Sequence, residues 1–212
     1  MDSLAIVLRV LPRGEDDLFC ELFLREQGRR WGIARSARKS RRRFGTVLSP
    51  LNILRICLEE KRSPVLFLKE ASVVTPLVRL AEELPRLGAA FWCLETLRAL
   101  VPEQAPEPAK FDLTCAALTA LNAGEDPATV RLRFAREILK VGGMTPHLSD
   151  CLRCHTRADR YYFAFREGAV FCGPCLPAGA AFEVLEGGET ERIFTPFLEY
   201  CIGRRLRAKE LC

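Results

Sequence analysis

The strongest constraint on this chain is a set of four cysteines between residues 151 and 175, arranged as CLRC, seventeen residues, then CGPC. Two CxxC pairs at that separation have the spacing of a four-thiolate zinc site. Two residues between paired cysteines let both sulfurs converge on one face of a tight turn, and Gly173 relieves the backbone of the second turn. Four soft thiolates at tetrahedral corners suit Zn2+, so Cys151, Cys154, Cys172 and Cys175 are the predicted ligands of one structural zinc. They fill the coordination shell and leave no place for a water nucleophile. A redox dithiol would open a helix in a strand-helix-strand context, which this segment lacks. His147 and His155 lie nearby in sequence and are read as bystanders. Between the pairs, Arg160 to Phe165 and Ala169 to Phe171 alternate as short strands around a turn at 166–168, so the segment reads as a hairpin stapled by metal.

Of the ten cysteines, Cys20, Cys57, Cys93 and Cys115 sit singly within apolar patterns, and Cys201 and Cys212 have no obvious partner, which fits a reducing compartment. The opening MDSLAIVLRVLPRGEDD lacks both a basic start and a long apolar run, and no stretch approaches the 18 or so apolar residues of a membrane span. The expectation is a cytoplasmic protein with no membrane partner.

Charge is unevenly placed. Residues 1–75 carry 15 Lys and Arg against 9 Asp and Glu, whereas the remainder carries 17 against 18. Arg29, Arg30, Arg35, Arg38, Lys39, Arg41, Arg42 and Arg43 form an acid-free basic run, the mark of a polyanionic partner. Trp31 and Phe44 flank it as candidate stacking platforms for unpaired bases, although the alternation of Trp31 with Ile33 equally suits a place in a core. A second basic cluster, Arg204, Arg205, Arg207 and Lys209, follows the last helical pattern. With two histidines, no phosphate loop and no HExxH, nothing points to catalysis, and a non-enzymatic protein is expected.

Five short apolar runs are the predicted strands: Leu4 to Leu11, Leu18 to Leu24, Trp31 to Ala37, a broken Thr46 to Leu58, and Pro64 to Val74. Five strands joined by turns in a basic domain predict an OB-fold barrel, with an SH3-like barrel as competitor. After Pro76 the period becomes helical: Leu77 to Leu100 with a restart near Pro85, Pro108 to Asn122, a helix from Pro127 capped by Asp126 and ended at Gly142 and Gly143, and a closing helix from Glu189 to Arg207. The fold class is therefore an α+β multidomain chain: an OB-fold over 1–75 and a helical domain over 76–212, with a zinc finger at 148–178.

The opening AIVLRVLPRGEDDLFCELFLREQGRRWGIARSARKSRRRF, the later LKVGGMTPHLSDCLRC and the closing YCIGRRLRAKEL together resemble the bacterial recombination mediator family RecO. The resemblance implies an OB-fold, a helical domain and a zinc-finger insertion. It also implies binding of single- and double-stranded DNA, annealing of complementary strands, contact with the tail of single-stranded-DNA-binding protein, and work with RecR in loading RecA during RecF-pathway repair, at the nucleoid. One departure is the short segment between Cys175 and Gly187, where more helix is usual in that family. Apart from the resemblance, a basic barrel does not distinguish ribose from deoxyribose, so an RNA-binding or ribosome-associated module is the alternative.

Overall fold

In the computed structural model, residues 2–40, 42–44, 46–59, 63–186 and 190–206 are described. Two compact units divide at Arg131 and Leu132, inside the third helix.

The first unit begins with strands β1 (Asp2–Arg13), β2 (Asp17–Leu24), β3 (Gly28–Ala34), β4 (Ile53–Leu58) and β5 (Leu66–Thr75), which close into a barrel in the order β1-β2-β3-β5-β4. The closing pair, β3 with β5, is parallel and joins only Gly32, Ile33 and Ala34 to Leu66, Phe67 and Leu68. This is an OB-fold. Strand β1 is long enough to pair with β2 and β4, and an irregularity between Val7 and Arg9 bends it. Side chains of period two fill the interior: Ala5 and Val7, Cys20, Leu22 and Leu24, Ala34, Leu54, Ile56, Leu58 and Leu68. Gly32 permits the seam, because a Cβ there would stand 2.5 Å from the Leu68 side chain.

The end of the third strand and the start of the fourth differ from expectation for one reason. The third strand stops at Ala34, and the fourth begins only at Ile53. Between them Ala37, Phe44 and Leu48 turn into the barrel core, so their apolar character reflects a plug and not a pleat. Phe44 is 2% exposed and is thereby corrected from stacking platform to core.

Helices α1 (Leu84–Leu100) and α2 (Pro108–Ala123) complete most of this unit. The expected start of α1 at Leu77 is replaced by a 3-10 turn at Val78–Ala81, and Pro85 occupies the first turn of the helix, where its missing N–H costs nothing. A left-handed Gly124 ends α2. Helix α3 (Pro127–Val141) starts as expected, with the Asp126 carboxylate accepting from the Thr129 amide at 2.8 Å. The outer side of β2 meets α1 and α2 through Phe23, whose ring centroid is 5.7 Å from that of Phe111, and through Glu21, a carboxylate shut away from water. Arg29 reaches the Glu21 carboxylate at 2.9 Å, and Arg98 of α1 reaches it at 3.0 Å. Glu21→Ala would leave Arg98 without this anion and Arg29 with only the more distant Glu103, and should cost about 3 kcal/mol in chemical denaturation.

The second unit holds a sheet of β6 (Arg160–Ala164), β7 (Ala169–Phe171) and β8 (Phe182–Glu186), antiparallel in the order β7-β6-β8. The expected hairpin is β6 with β7, while β8 fills the short segment after Cys175 and has no counterpart in the sequence reading. Helix α4 (Phe194–Ile202) is shorter than the expected Glu189 to Arg207, because a 3-10 turn at Thr190–Ile193 precedes it and Gly203, at φ +75°, ends it. Phe163 meets Phe197 edge to face at 5.2 Å, which docks α4 on the sheet. Among the described residues, no helix is long and apolar enough to cross a membrane.

Candidate nucleic-acid interface and four-cysteine centre

The basic run leaves β3 at Ala34 and is turned by Ser36, whose φ of 52° is left-handed. Its root is tied to the acidic turn between β1 and β2. The Asp17 carboxylate accepts the Ser36 amide at 2.8 Å, the Asp16 and Glu15 carbonyls accept from the amide and the guanidinium of Arg38, and Lys39 Nζ lies 2.7 Å from Asp16. The far end is tied to β5, since the Arg43 carbonyl accepts the Ala71 amide at 2.9 Å. Arg43 also donates to Ser40 Oγ at 3.1 Å and to the Arg35 carbonyl at 2.9 Å, bracing the loop from within.

The loop thus lies across the outside of β5 as a fixed arch and not as a free arm. Arg35, Arg38, Lys39, Arg42 and Arg43 are exposed on it. The Arg35 guanidinium sits 4.9 Å over the Phe67 ring, which holds the side chain while leaving its charge outward. On the β4 side a cleft of about 220 Å³ is lined by Arg42, Arg43 and Arg55, with Asp2 and Glu70 opposite. Arg55 was missed by sequence reasoning: it is a lone cation in an apolar run. Only the pairing of Arg55 with Ser72, across β4 and β5, brings it to the loop.

Two members of the run are placed differently. Arg29 is committed to Glu21, with Glu103 at 3.7 Å, at the junction with the helices. Arg30 donates to the Pro64 carbonyl at 3.2 Å. Arg41 lies outside the described residues. Trp31 is half-buried on the barrel exterior, stacked on Phe19 with centroids 4.5 Å apart and planes at 12°.

In the second unit the Cys151, Cys154, Cys172 and Cys175 sulfurs all lie within 4.8 Å of one another. Cys154 and Cys172 are 3.7 Å apart, close to the roughly 3.8 Å edge of a tetrahedron with metal–sulfur bonds of about 2.3 Å. Local hydrogen bonds hold the two knuckles: the Cys151 carbonyl accepts the His155 amide at 2.8 Å, and the Cys172 carbonyl accepts the Cys175 amide at 3.0 Å. Burial opposes ionisation of Cys151, but amide donors at Cys154, Cys172 and Arg153 outweigh it and hold its thiol down to about 6. The neighbouring Cys172 sulfur, then burial, push Cys175 up to about 12. Without a cation the four sulfurs do not share a fully ionised state, and a thiophilic metal ion removes that conflict. His147 is engaged with Asp150 and stands outside the sulfur cluster.

Arg204 and Arg205 of the second basic cluster rim a cleft of about 350 Å³ whose apolar walls are Phe165, Pro196 and Tyr200. Arg207 and Lys209 lie outside the described residues.

Comparison with known proteins bears on both units. A sequence model described as Recombination protein O N terminal matches residues 1–77, and one described as Recombination protein O C terminal matches residues 81–189. The chain is similar to the DNA repair protein RecO of Anaeromyxobacter dehalogenans strain 2CP-C, at 34% identity over 96% of this chain and 92% of that protein. It is also similar to the protein of the same name from Myxococcus xanthus, at 32% identity over 82% of this chain and 72% of the relative. A third relative, the DNA repair protein RecO of Syntrophobacter fumaroxidans, is 34% identical over 71% of this chain and 60% of its own length.

Proposed function

Because the chain belongs to the RecO family of DNA repair and recombination proteins, we propose that it is a non-catalytic DNA-binding mediator whose barrel, residues 1–75, holds strand backbone on the arginine arch. The observation that carries this reading is a loop fixed at both ends that exposes Arg35, Arg38, Arg42 and Arg43, the last two sharing a cleft with Arg55. Arg41 belongs to the same stretch of sequence, Lys39 adds a partly neutralised charge, and Arg29 and Arg30 serve more to join and shape the barrel than to meet phosphate. Guanidiniums on a fixed backbone bind phosphates of single strands and duplexes alike. Annealing follows from the same contacts: a protein that neutralises two complementary strands lowers their mutual repulsion and raises their local concentration.

The four cysteines hold one structural Zn2+, whose donor set matches that ion and is already complete. The partners follow the family reading: RecR, with RecA loading downstream, and the acidic tail of single-stranded-DNA-binding protein. The cleft rimmed by Arg204 and Arg205, which Glu199 also lines, supports the last of these by offering an apolar seat beside basic side chains.

The test is the salt dependence of single-strand binding. If about six phosphates are neutralised, the logarithm of the association constant should fall against the logarithm of salt with a slope near −4. Binding that ignores salt would sink the reading. Preference for RNA over DNA of matched sequence in the same titration would transfer it to the ribosomal alternative.

A further inference from the structure

The outer side of β2 and β3 divides into two halves. Glu21, Phe23 and Arg29 lie against the helices. One step along the strands, Phe19 and Trp31 stack on each other instead, and both remain partly exposed. The strand register extends this half sideways: Phe19 pairs with Ile33, and Ile33 with Phe67, so the ring beneath Arg35 continues the same row onto β5. Beside the Phe19 and Trp31 stack is a cleft of about 170 Å³, lined also by Arg29, Arg30, Pro64, Val65, Glu103 and Gln104, with room for one planar ring.

We propose that the Phe19–Trp31 stack is a platform for unpaired nucleobases, and that it gives the barrel a preference for single strands that the arginine arch alone would not supply. The platform's role rests on the DNA-binding reading of the arch. Arch arginines meet phosphates, which single strands and duplexes both present. Aromatic faces take bases, and every base has a π-face irrespective of sequence, but in a duplex those faces are already stacked on one another. Arg30 beside the cleft and Arg35 over Phe67 place cations at both sides of the aromatic row, where a sugar-phosphate chain passing from platform to arch would meet them. The occupant is therefore an unpaired stretch of single-stranded DNA, one base at the platform and its neighbouring phosphates on the arch.

The intact protein carries its own probe. It has two tryptophans, and the other, Trp92, is fully buried. Titration with oligothymidylate should quench Trp31 fluorescence. A strand of equal length and charge but with abasic sites should bind about tenfold more weakly and quench little, and duplex DNA should bind without quenching. Trp31→Ala should weaken single-strand binding about tenfold and leave duplex binding unchanged, whereas Trp31→Phe keeps most of the affinity. Equal binding of abasic and thymidine strands to the wild-type protein would overturn the platform, and that comparison needs no variant to fold. It would leave the arch intact, because loss of the arch is read separately, as wild-type protein that binds neither strand nor duplex.

Discussion

Stripping the metal with a strong chelator, or replacing Cys175 by serine, is expected to unfold the sheet of the second unit. The core directly around the sulfurs is small: Cys151 itself, Ala164, Ala169 and Phe171 are its buried members. Structural Zn2+ contributes about 10 to 16 kcal/mol in small peptides, whereas a whole domain is stable by only about 5 to 15. Losing the ion therefore removes a contribution as large as the stability of a whole domain. The expected result is loss of amide protection in β6 and β7, together with one equivalent of zinc released. A sheet that keeps its protection without metal would contradict a structural ion. Uptake should also depend on pH in a defined direction. Cys175 is pushed up to about 12, so near neutral pH it binds metal only by giving up a proton. Cys151, held down to about 6, becomes a thiol as pH falls through that value. Both effects make affinity decline with acidity, and uptake at neutral pH should release protons.

Changing Arg41, Arg42 and Arg43 together to glutamate should abolish binding of single strands and duplexes, and annealing with it. The change moves the local charge by six units, converting three attractions to phosphate into three repulsions within a Debye length of about 8 Å. Metal content and far-UV circular dichroism should be unaltered. Arg43 also braces the arch through Ser40 and the Arg35 carbonyl, so Arg41→Ala with Arg42→Ala separates charge from shape. Two lost contacts of six should bring the salt slope from near −4 to near −3. Annealing that survives the triple reversal would place the active surface elsewhere.

How much was legible in the sequence depended on whether the determining contact was local. The gathering of the four cysteines could be read, because two tight turns impose their own spacing. Strands β1, β2 and β5 were legible as apolar runs bounded by turn residues. The start of β4 was not, since Leu48 looks like a strand residue but plugs the barrel. Strand β8 was missed because Phe182–Glu186 is short and takes its identity from pairing with β6. The charge census counted Arg29 with its neighbours, yet its role is set by Glu21, a strand away, which is shared with Arg98 on a distant helix. Arg55 was invisible for the converse reason: nothing near it in sequence is basic, and only sheet register carries it to the arch.

The seam between β3 and β5 joins residues more than thirty positions apart through three paired positions, while the neighbouring pairs run longer. It gains the fewest ladder bonds of the barrel's pairings, so it is the first place for the barrel to open. The arch spans that seam, rooted beyond β3 at one end and bonded to Ala71 of β5 at the other. A nucleic acid strand lying along the arch would act as a suture across the two lips. Ligand affinity and barrel closure would then share one free energy, and slowed amide exchange at Gly32 to Ala34 would report occupancy as directly as any binding isotherm.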